Sequence, residues 1–231
     1  MSICTDYLEL APARESLYAF LSRVYRVEVT EELLCDMKSL TFPENGELGA
    51  FADGIAGLQT FLKKPGIDPR TDLAVDYARV FLGAGIADGS AAFPYESVYT
   101  SPEGLMMQDA RDEVLSLYVA KGLGLEGENH DPEDHMAFEL DFMAHLVREG
   151  SDAAATGNTA SLALSLGEQR AFLRGHLLNW AGRFCADVAK YSSTAFYPAI
   201  AQMTEGFLAM DDNLLEELAA DADAAAEGDA R

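Results

Sequence analysis

The sequence predicts an all-α protein, a compact multi-helix bundle, from two observations. Apolar residues recur at the spacing of one helix face, i, i+3, i+4, i+7 and i+8, as in Leu17, Phe20, Leu21, Val24 and Tyr25. No stretch alternates apolar and polar residues between hairpin turns, the pattern of a half-buried strand. Of the 231 residues, 49% are hydrophobic and 24% are charged, a composition typical of a globular chain that buries a core.

Further stripes of the same spacing predict the remaining helices, and loops rich in glycine and proline separate them. Ser101 followed by Pro102 predicts the start of one helix, which ends at Gly122. Glycines and alanines predict a long loop over 83–94. The other stripes are Leu33, Leu34 and Met37; Phe51, Ile55, Leu58 and Leu62; Leu73, Tyr77, Val80 and Phe81; Met136, Leu140, Met143 and Val147; and Leu177, Trp180, Phe184 and Val188.

The pattern along the chain predicts one helical domain over 1–215, with a glycine-rich hinge near 122–132. The last 21 residues contain eight acidic residues and a single basic residue, Arg231. Apart from three leucines at 214, 215 and 218, this end offers little apolar surface to bury. We therefore expect 216–231 to form an acidic, disordered tail.

The formal charge of −23 argues against nucleic acid as a partner, because neutralising phosphates requires clustered Lys and Arg. An anionic membrane surface is disfavoured for the same reason, whereas cationic partners are attracted. The acidity could also serve solubility or a salty habitat. The first 20 residues lack the pattern of a secretory signal, no apolar run approaches the ~20 residues that span a bilayer, and the three cysteines show no CxxC spacing. We therefore expect a cytoplasmic protein.

The stretch "DPEDHMAFELDFM", residues 131–143, carries six ionisable side chains. As a helix start, Asp131 is the N-cap, Pro132 is the first helical residue, and acids fill the first turn, where the helix dipole favours them. His135 and Glu139 lie four residues apart between two apolar stripes, so we expect them to be held in an apolar setting and to touch.

The same stretch leaves a metal-binding helical enzyme open as an alternative. His135 with Glu139, or Asp141 with His145, could each supply two ligands from one helix face. The chain has neither the Glu-x-x-His of a di-iron bundle nor the His-Glu-x-x-His of a zinc protease, and no Gly-x-Ser-x-Gly elbow for nucleophilic catalysis. A helical scaffold for folded partners is the other alternative.

Three stretches combine aromatic side chains with carboxylates: "YARVFLG" at 77–83, "FPYESVY" at 93–99, and 131–143. Aromatic walls with acids suit an apolar peptide that carries Arg or Lys, because a guanidinium pairs with carboxylates and stacks on rings. Taken singly, each stretch is also explained by core aromatics next to solvated acids.

The order "DLAVDYARVFLG", "FPYESVY", "YVAKGL" and "DPEDHMAFELDFMAHL" over 72–146 resembles the TorD/DmsD family of chaperones for molybdenum-containing reductases. The family's usual Glu-Pro-x-Asp-His is Asp131-Pro132-Glu133-Asp134-His135 here. The resemblance implies an all-helical fold, no enzymatic reaction and no cofactor of its own. It also implies monomers that can exchange halves at the hinge to form dimers.

The resemblance further implies that the protein binds the twin-arginine leader of an immature reductase, delays its export and assists cofactor insertion. A twin-arginine leader is a cationic segment followed by an apolar one, which fits an acidic protein with aromatic stretches. By motif position, the leader-binding role carries over to eight residues: Tyr77, Val80, Phe81, Pro94, Tyr95, Pro132, Asp134 and His135.

Overall fold

The apolar stripes of the sequence fold as helices, as predicted. The computed structural model describes residues 2–39, 49–85, 90–124 and 131–229, and for 223 and 225–229 it describes the backbone only. Within these ranges the chain is all-α, and its one β-type pairing is an isolated bridge. The helices are α1 (Ile3–Arg26), α2 (Glu31–Ser39), α3 (Gly49–Lys63), α4 (Pro69–Leu82), α5 (Glu96–Thr100), α6 (Asp109–Ala120), α7 (Met136–Ala155), α8 (Thr159–Phe172), a π-helical turn (Leu173–Leu177), α9 (Leu178–Tyr191) and α10 (Phe196–Asp229).

Two long helix pairs organise the core. Helix α1 packs along α7, and the hydroxyl of Tyr7 donates a hydrogen bond to the carbonyl of Val147 across that interface at 2.9 Å. Helix α3 packs along α10, where Gly206 lies so close to α3 that a Cβ there would overlap the backbone of Phe51. The glycine therefore permits an approach that a larger residue would prevent.

A buried ion pair links the first helix to the last. The guanidinium of Arg14 donates to both carboxylate oxygens of Asp211, at 2.6 and 2.9 Å. Tyr18 donates a further hydrogen bond to Asp211 at 2.7 Å, and Gln169 accepts one from Arg14 at 2.9 Å. Neither charge is exposed, so removing one partner would leave the other desolvated.

Two predicted helix starts are wrong. Helix α7 begins at Met136 with His135 as its N-cap, not at Asp131, because Asp134 and His135 pair with the segment 94–97 at the start of α5 instead. Helix α6 begins at Asp109, not after Ser101. The N–H of Ser101 donates to the carbonyl of Ser97 at the end of α5, and its hydroxyl accepts from Leu105 at 3.1 Å, so this residue closes one helix and shapes a turn.

Within the described residues, the tail that is predicted to be disordered from 216 is helical instead. Helix α10 continues to Asp229, and Leu218 and Ala222 are buried, at 5% and 0% exposure. Spacing of four residues places both on the same helix face, so sparse apolar residues were sufficient to dock this segment. The one-domain organisation stays a prediction, and the central part of the predicted hinge, 125–130, lies outside the described residues.

None of the helices in the described ranges is long and apolar enough to cross a membrane.

Candidate functional site

The candidate site forms where the loop before α5 meets the loop before α7. The N–H of Glu96 donates to the carbonyl of Asp134 at 2.9 Å, and the N–H of Met136 donates to the carbonyl of Pro94 at 2.8 Å. These two hydrogen bonds form the isolated antiparallel bridge between Tyr95 and His135. The bridge therefore brings two stretches that are distant in sequence, 93–99 and 131–143, into one site.

A cavity of about 500 Å³, here called the first cavity, opens beside this bridge. Residues of α4 and of the two bridged loops line most of it, and the C-terminal end of α1 with the loop after it lines the rest. Its lining residues are Arg26, Val27, Glu28, Thr30, Tyr77, Phe81, Leu82, Pro94, Tyr95, Asp131 and His135.

The structure brings together five of the eight predicted leader-binding residues on the wall of the first cavity: Tyr77, Phe81, Pro94, Tyr95 and His135. The other three, Val80, Pro132 and Asp134, are buried and do not line it. The carboxylate of Asp134 accepts a hydrogen bond from the backbone N–H of Ser97 at 2.8 Å. Asp134 therefore does not contact the cavity, but fixes the segment that carries Pro94 and Tyr95.

His135 is an uncharged member of this wall. Its Nδ1 accepts a hydrogen bond from the N–H of Ala137 at 3.0 Å, and its ring meets that of Tyr95 edge to face with centroids 5.1 Å apart. Burial lowers the pKa of His135 to about 4, against a weaker opposing effect of Asp131. At neutral pH the ring is neutral, with Nδ1 as acceptor and Nε2 carrying the proton.

Two carboxylates, those of Glu28 and Asp131, and the guanidinium of Arg26 supply the charge of the first cavity. The hydroxyl of Tyr95 donates a hydrogen bond to Asp131 at 3.2 Å, and Glu28, which is exposed, lines the same cavity. Burial is the main cause that raises the pKa of Tyr77 to about 12, with Asp131 and Glu28 adding to it, so this phenol stays protonated. The cavity thus combines uncharged aromatic walls with acids at its rim.

Sequence reasoning missed the contribution of α1 and the loop after it. Arg26, Glu28 and Thr30 carry no motif, and they lie more than 45 positions before Tyr77 in the chain. The sequence pattern predicts Asp131 as a helix cap, although its position in an acidic run next to proline fits an exposed carboxylate equally well. No local signal in the sequence connects these residues.

A second cavity has a volume of about 400 Å³. Arg26 lines both cavities. The guanidinium carbon of Arg26 lies 5.1 Å from the ring centroid of Phe138, and its Nη1 lies 3.7 Å from the Oδ2 of Asp141. The second cavity is lined by Arg26, Tyr118, Leu123, Gly124, Phe138, Asp141, Phe142, His145 and Arg148.

Buried acids lie behind the bridge. The indole N–H of Trp180 donates to the Oε2 of Glu139 at 3.0 Å, and the Nδ1 of His176 lies 2.9 Å from the Oε2 of Glu96. Burial, together with the nearby Glu96, raises the pKa of Glu139 well above its ordinary value. The side chain of Glu139 is thus hydrogen-bonded to Trp180 and not to the predicted partner, His135.

The ligand pairs proposed for a metal have other roles in the structure. Within the described ranges, no group of three or more His, Cys, Asp or Glu side chains is arranged to hold a metal ion. His135 caps α7 through its Nδ1, and His145 lies 3.5 Å from Glu149.

The fold and the first cavity define a helical protein whose site combines aromatic walls with charged groups. Comparison with known families gives a match over residues 45–186 to the family described as nitrate reductase delta subunit. The chain belongs to this family, and the resemblance to the TorD/DmsD chaperones is confirmed.

Individual relatives agree with this assignment over most of the chain. Chaperone protein TorD of Vibrio cholerae (strain O395) is 29% identical over 217 residues, covering 89% of this chain and 93% of the relative. Chaperone protein TorD of Shewanella pealeana is 26% identical over 230 residues, covering 93% and 96%. The protein of that name from Aliivibrio salmonicida is 27% identical over 204 residues, covering 86% and 92%.

Proposed function

We propose that this chain is a cytoplasmic chaperone for an immature molybdenum-containing reductase. It binds the twin-arginine leader of that client, delays export, and assists cofactor insertion without catalysing a reaction of its own. The observation that carries the leader-binding part is the first cavity, in which aromatic walls and carboxylates converge. Family membership and relatives named as chaperones support the rest.

The chemistry of the first cavity matches that of the leader. Tyr77, Phe81 and Tyr95 present ring surfaces to a guanidinium or an apolar side chain. Asp131 and Glu28 supply carboxylates at the opening, where an arginine can form charge-assisted hydrogen bonds. A volume of about 500 Å³ is within the usual range for ligand sites. The excess of 39 acidic over 16 basic residues also attracts a cationic segment during encounter.

Calorimetric titration of an Arg-Arg leader peptide, its Lys-Lys version and its Gln-Gln version tests the proposal. The wild type should bind Arg-Arg best, because only arginine combines a planar fork with ring stacking. Asp131→Asn should weaken Arg-Arg binding about tenfold, the loss expected for one charge-assisted contact.

Asp112→Asn is the matched control, since Asp112 pairs with Arg111 at 3.0 Å on the surface and lines neither cavity. It should bind as the wild type does. Equal affinity of the wild type for the Arg-Arg and Gln-Gln peptides would contradict leader binding. A scaffold for folded partners would bind its client independently of the arginine pair.

The oligomeric state is part of the same proposal: a monomer that can exchange halves at the hinge near 122–132. Residues 125–130 lie outside the described part of the chain, so the support is the family resemblance. Size-exclusion chromatography of a variant with several of the residues 122–129 deleted should show more dimer, because a shortened connection favours exchange. An unchanged monomer peak would contradict a hinge at this position.

A further inference from the structure

Arg26 occupies a position in which a guanidinium is already recognised. It lies over the ring of Phe138, 5.1 Å from the centroid, and faces the carboxylate of Asp141 at 3.7 Å. A ring face together with a carboxylate is the arrangement that favours a guanidinium over an ammonium group. In this structure the protein's own arginine therefore occupies, in the second cavity, the position that such an arrangement offers to a guanidinium.

The ion pair between Arg26 and Asp141 is weak. A separation of 3.7 Å is too long for a hydrogen bond, and the side chains of Arg26 and Asp141 are 44% and 53% exposed. Exposed ion pairs of this kind contribute little to stability. An incoming guanidinium can therefore replace that of Arg26 at small cost, and Arg26 can extend into solvent.

The other arginine of the second cavity is held elsewhere. Two nitrogens of Arg148 donate to the Oε1 of Glu15, at 2.9 and 2.7 Å. Its charge is compensated by that carboxylate, so Arg148 does not need Asp141 as a partner. Among the described residues that line this cavity, displacing Arg26 would leave Asp141 as the carboxylate available to a ligand.

The two cavities meet at Arg26, and a twin-arginine leader has two adjacent side chains to place. In an extended peptide, successive side chains point in opposite directions. We propose that Phe138 and Asp141 form a second guanidinium site, occupied by Arg26 in the free chain, and that the two leader arginines enter the two cavities separately. The inference rests on the proposed leader binding and adds an explanation for the requirement of two arginines.

Titration of four leader peptides, Arg-Arg, Gln-Arg, Arg-Gln and Gln-Gln, against the wild type and Asp141→Asn tests the inference. In the wild type each single Arg→Gln replacement should lower affinity about tenfold, the loss of one charge-assisted contact. In Asp141→Asn one of the two penalties should disappear and the other should remain, because the first cavity is unchanged. Asp112→Asn, the same change at a surface acid outside both cavities, should keep both penalties.

Two penalties of wild-type size in Asp141→Asn would overturn the second site while leaving the proposed function in place. Failure of the wild type to distinguish Arg-Arg from Gln-Gln would overturn both. Because Asp141 is half exposed, the substitution should fold normally, and an unchanged thermal midpoint would verify this.

Arg26→Gln tests the displacement itself. With the guanidinium site open, affinity for Arg-Arg should rise several-fold, since the peptide no longer competes with the protein's own arginine. The gain should be much smaller in the Asp141→Asn background, where the site has lost its carboxylate. An equal gain in both backgrounds would mean that Arg26 acts only through its charge, and lower affinity in Arg26→Gln would mean that it binds the leader. Either result overturns the displacement.

Discussion

The Oδ2 atom of Asp134 lies 2.8 Å from the backbone nitrogen of Ser97, and both residues are fully buried. The carboxyl group thus holds the first turn of α5, directly after Pro94 and Tyr95 on the cavity wall. Burial raises the pKa of Asp134, while the hydrogen bond that its carboxyl group accepts from the N–H of Ser97 opposes this shift. This acidic residue of the motif positions the site and does not line it.

Asp134→Ala should lower both stability and leader affinity, because the N–H of Ser97 loses its acceptor in a buried setting. The expected cost is about 1–3 kcal/mol in the free energy of unfolding. Asp134→Asn keeps an acceptor oxygen and should stay close to the wild type in both measurements. Urea denaturation and peptide titration of the two variants check this. Affinity lost in Asp134→Asn, at unchanged stability, would instead indicate that the charge contacts the leader.

His135→Asn should change how stability depends on pH. The folded-state pKa of about 4 lies below the ordinary value of about 6.5, so the unfolded chain takes up a proton first as pH falls. The contribution of neutral His135 is present above pH 6.5 and is lost as pH falls towards 4. It amounts to about 3 kcal/mol at 1.36 kcal/mol per pKa unit.

Asparagine does not titrate and is a good N-cap that can accept from the N–H of Ala137. Between pH 7 and pH 4 the wild type should therefore lose about 3 kcal/mol more than His135→Asn. Urea denaturation of both proteins at several pH values measures the difference. Parallel curves would contradict a buried, neutral ring.

Glu139→Gln should have the opposite pH dependence. Burial and the neighbouring Glu96 raise the folded-state pKa of Glu139, so its stabilising contribution is complete below the unfolded pKa and is lost as pH rises through the folded pKa. Glutamine keeps an acceptor for Trp180 and cannot ionise. The variant should match the wild type in acid and melt higher at pH 8. Glu113→Gln removes an exposed acid and reports the general effect of one lost charge on the melting temperature. Equal increases of the melting temperature in the two variants would contradict a raised folded-state pKa of Glu139.

Asp211→Ala should be strongly destabilising, by about 3–5 kcal/mol, because Arg14 would remain buried without its carboxylate. The adjacent Asp212 is a matched control, since it pairs with Arg174, whose side chain is 41% exposed. Asp212→Ala should lose far less. Denaturant unfolding measures the free energy of unfolding of both variants. Similar losses would show that burial of the Arg14–Asp211 pair does not cause the destabilisation.

Leu218→Ala should lower stability by about 2–3 kcal/mol, because this side chain is 95% buried and its removal leaves a cavity. Deleting 216–231 should lower the thermal midpoint at least as much. A deletion that leaves the midpoint unchanged would restore the prediction of a disordered tail.

Helix content was predictable from the sequence because helical periodicity is local. Leu17, Leu21 and Val24 mark one face of α1 within eight residues, and such a stripe needs no knowledge of its partner. Helix ends were less predictable, because a capping side chain can form its hydrogen bond with a backbone group of a neighbouring turn instead of with the helix. The hydroxyl of Ser101 serves the turn after α5, although Ser-Pro is typical of a helix start.

The sequence by itself determined the all-α class, the acidic charge, and the motif order that resembles the TorD/DmsD family. Only the tertiary structure decided which motif residues line the first cavity and which support it. Arg26, Tyr95 and Asp131 are far apart along the chain and meet at one cavity, and Asp134 is buried because Ser97 lies against it. Such contacts depend on how helices and loops pack across long sequence separations, which a local pattern does not encode.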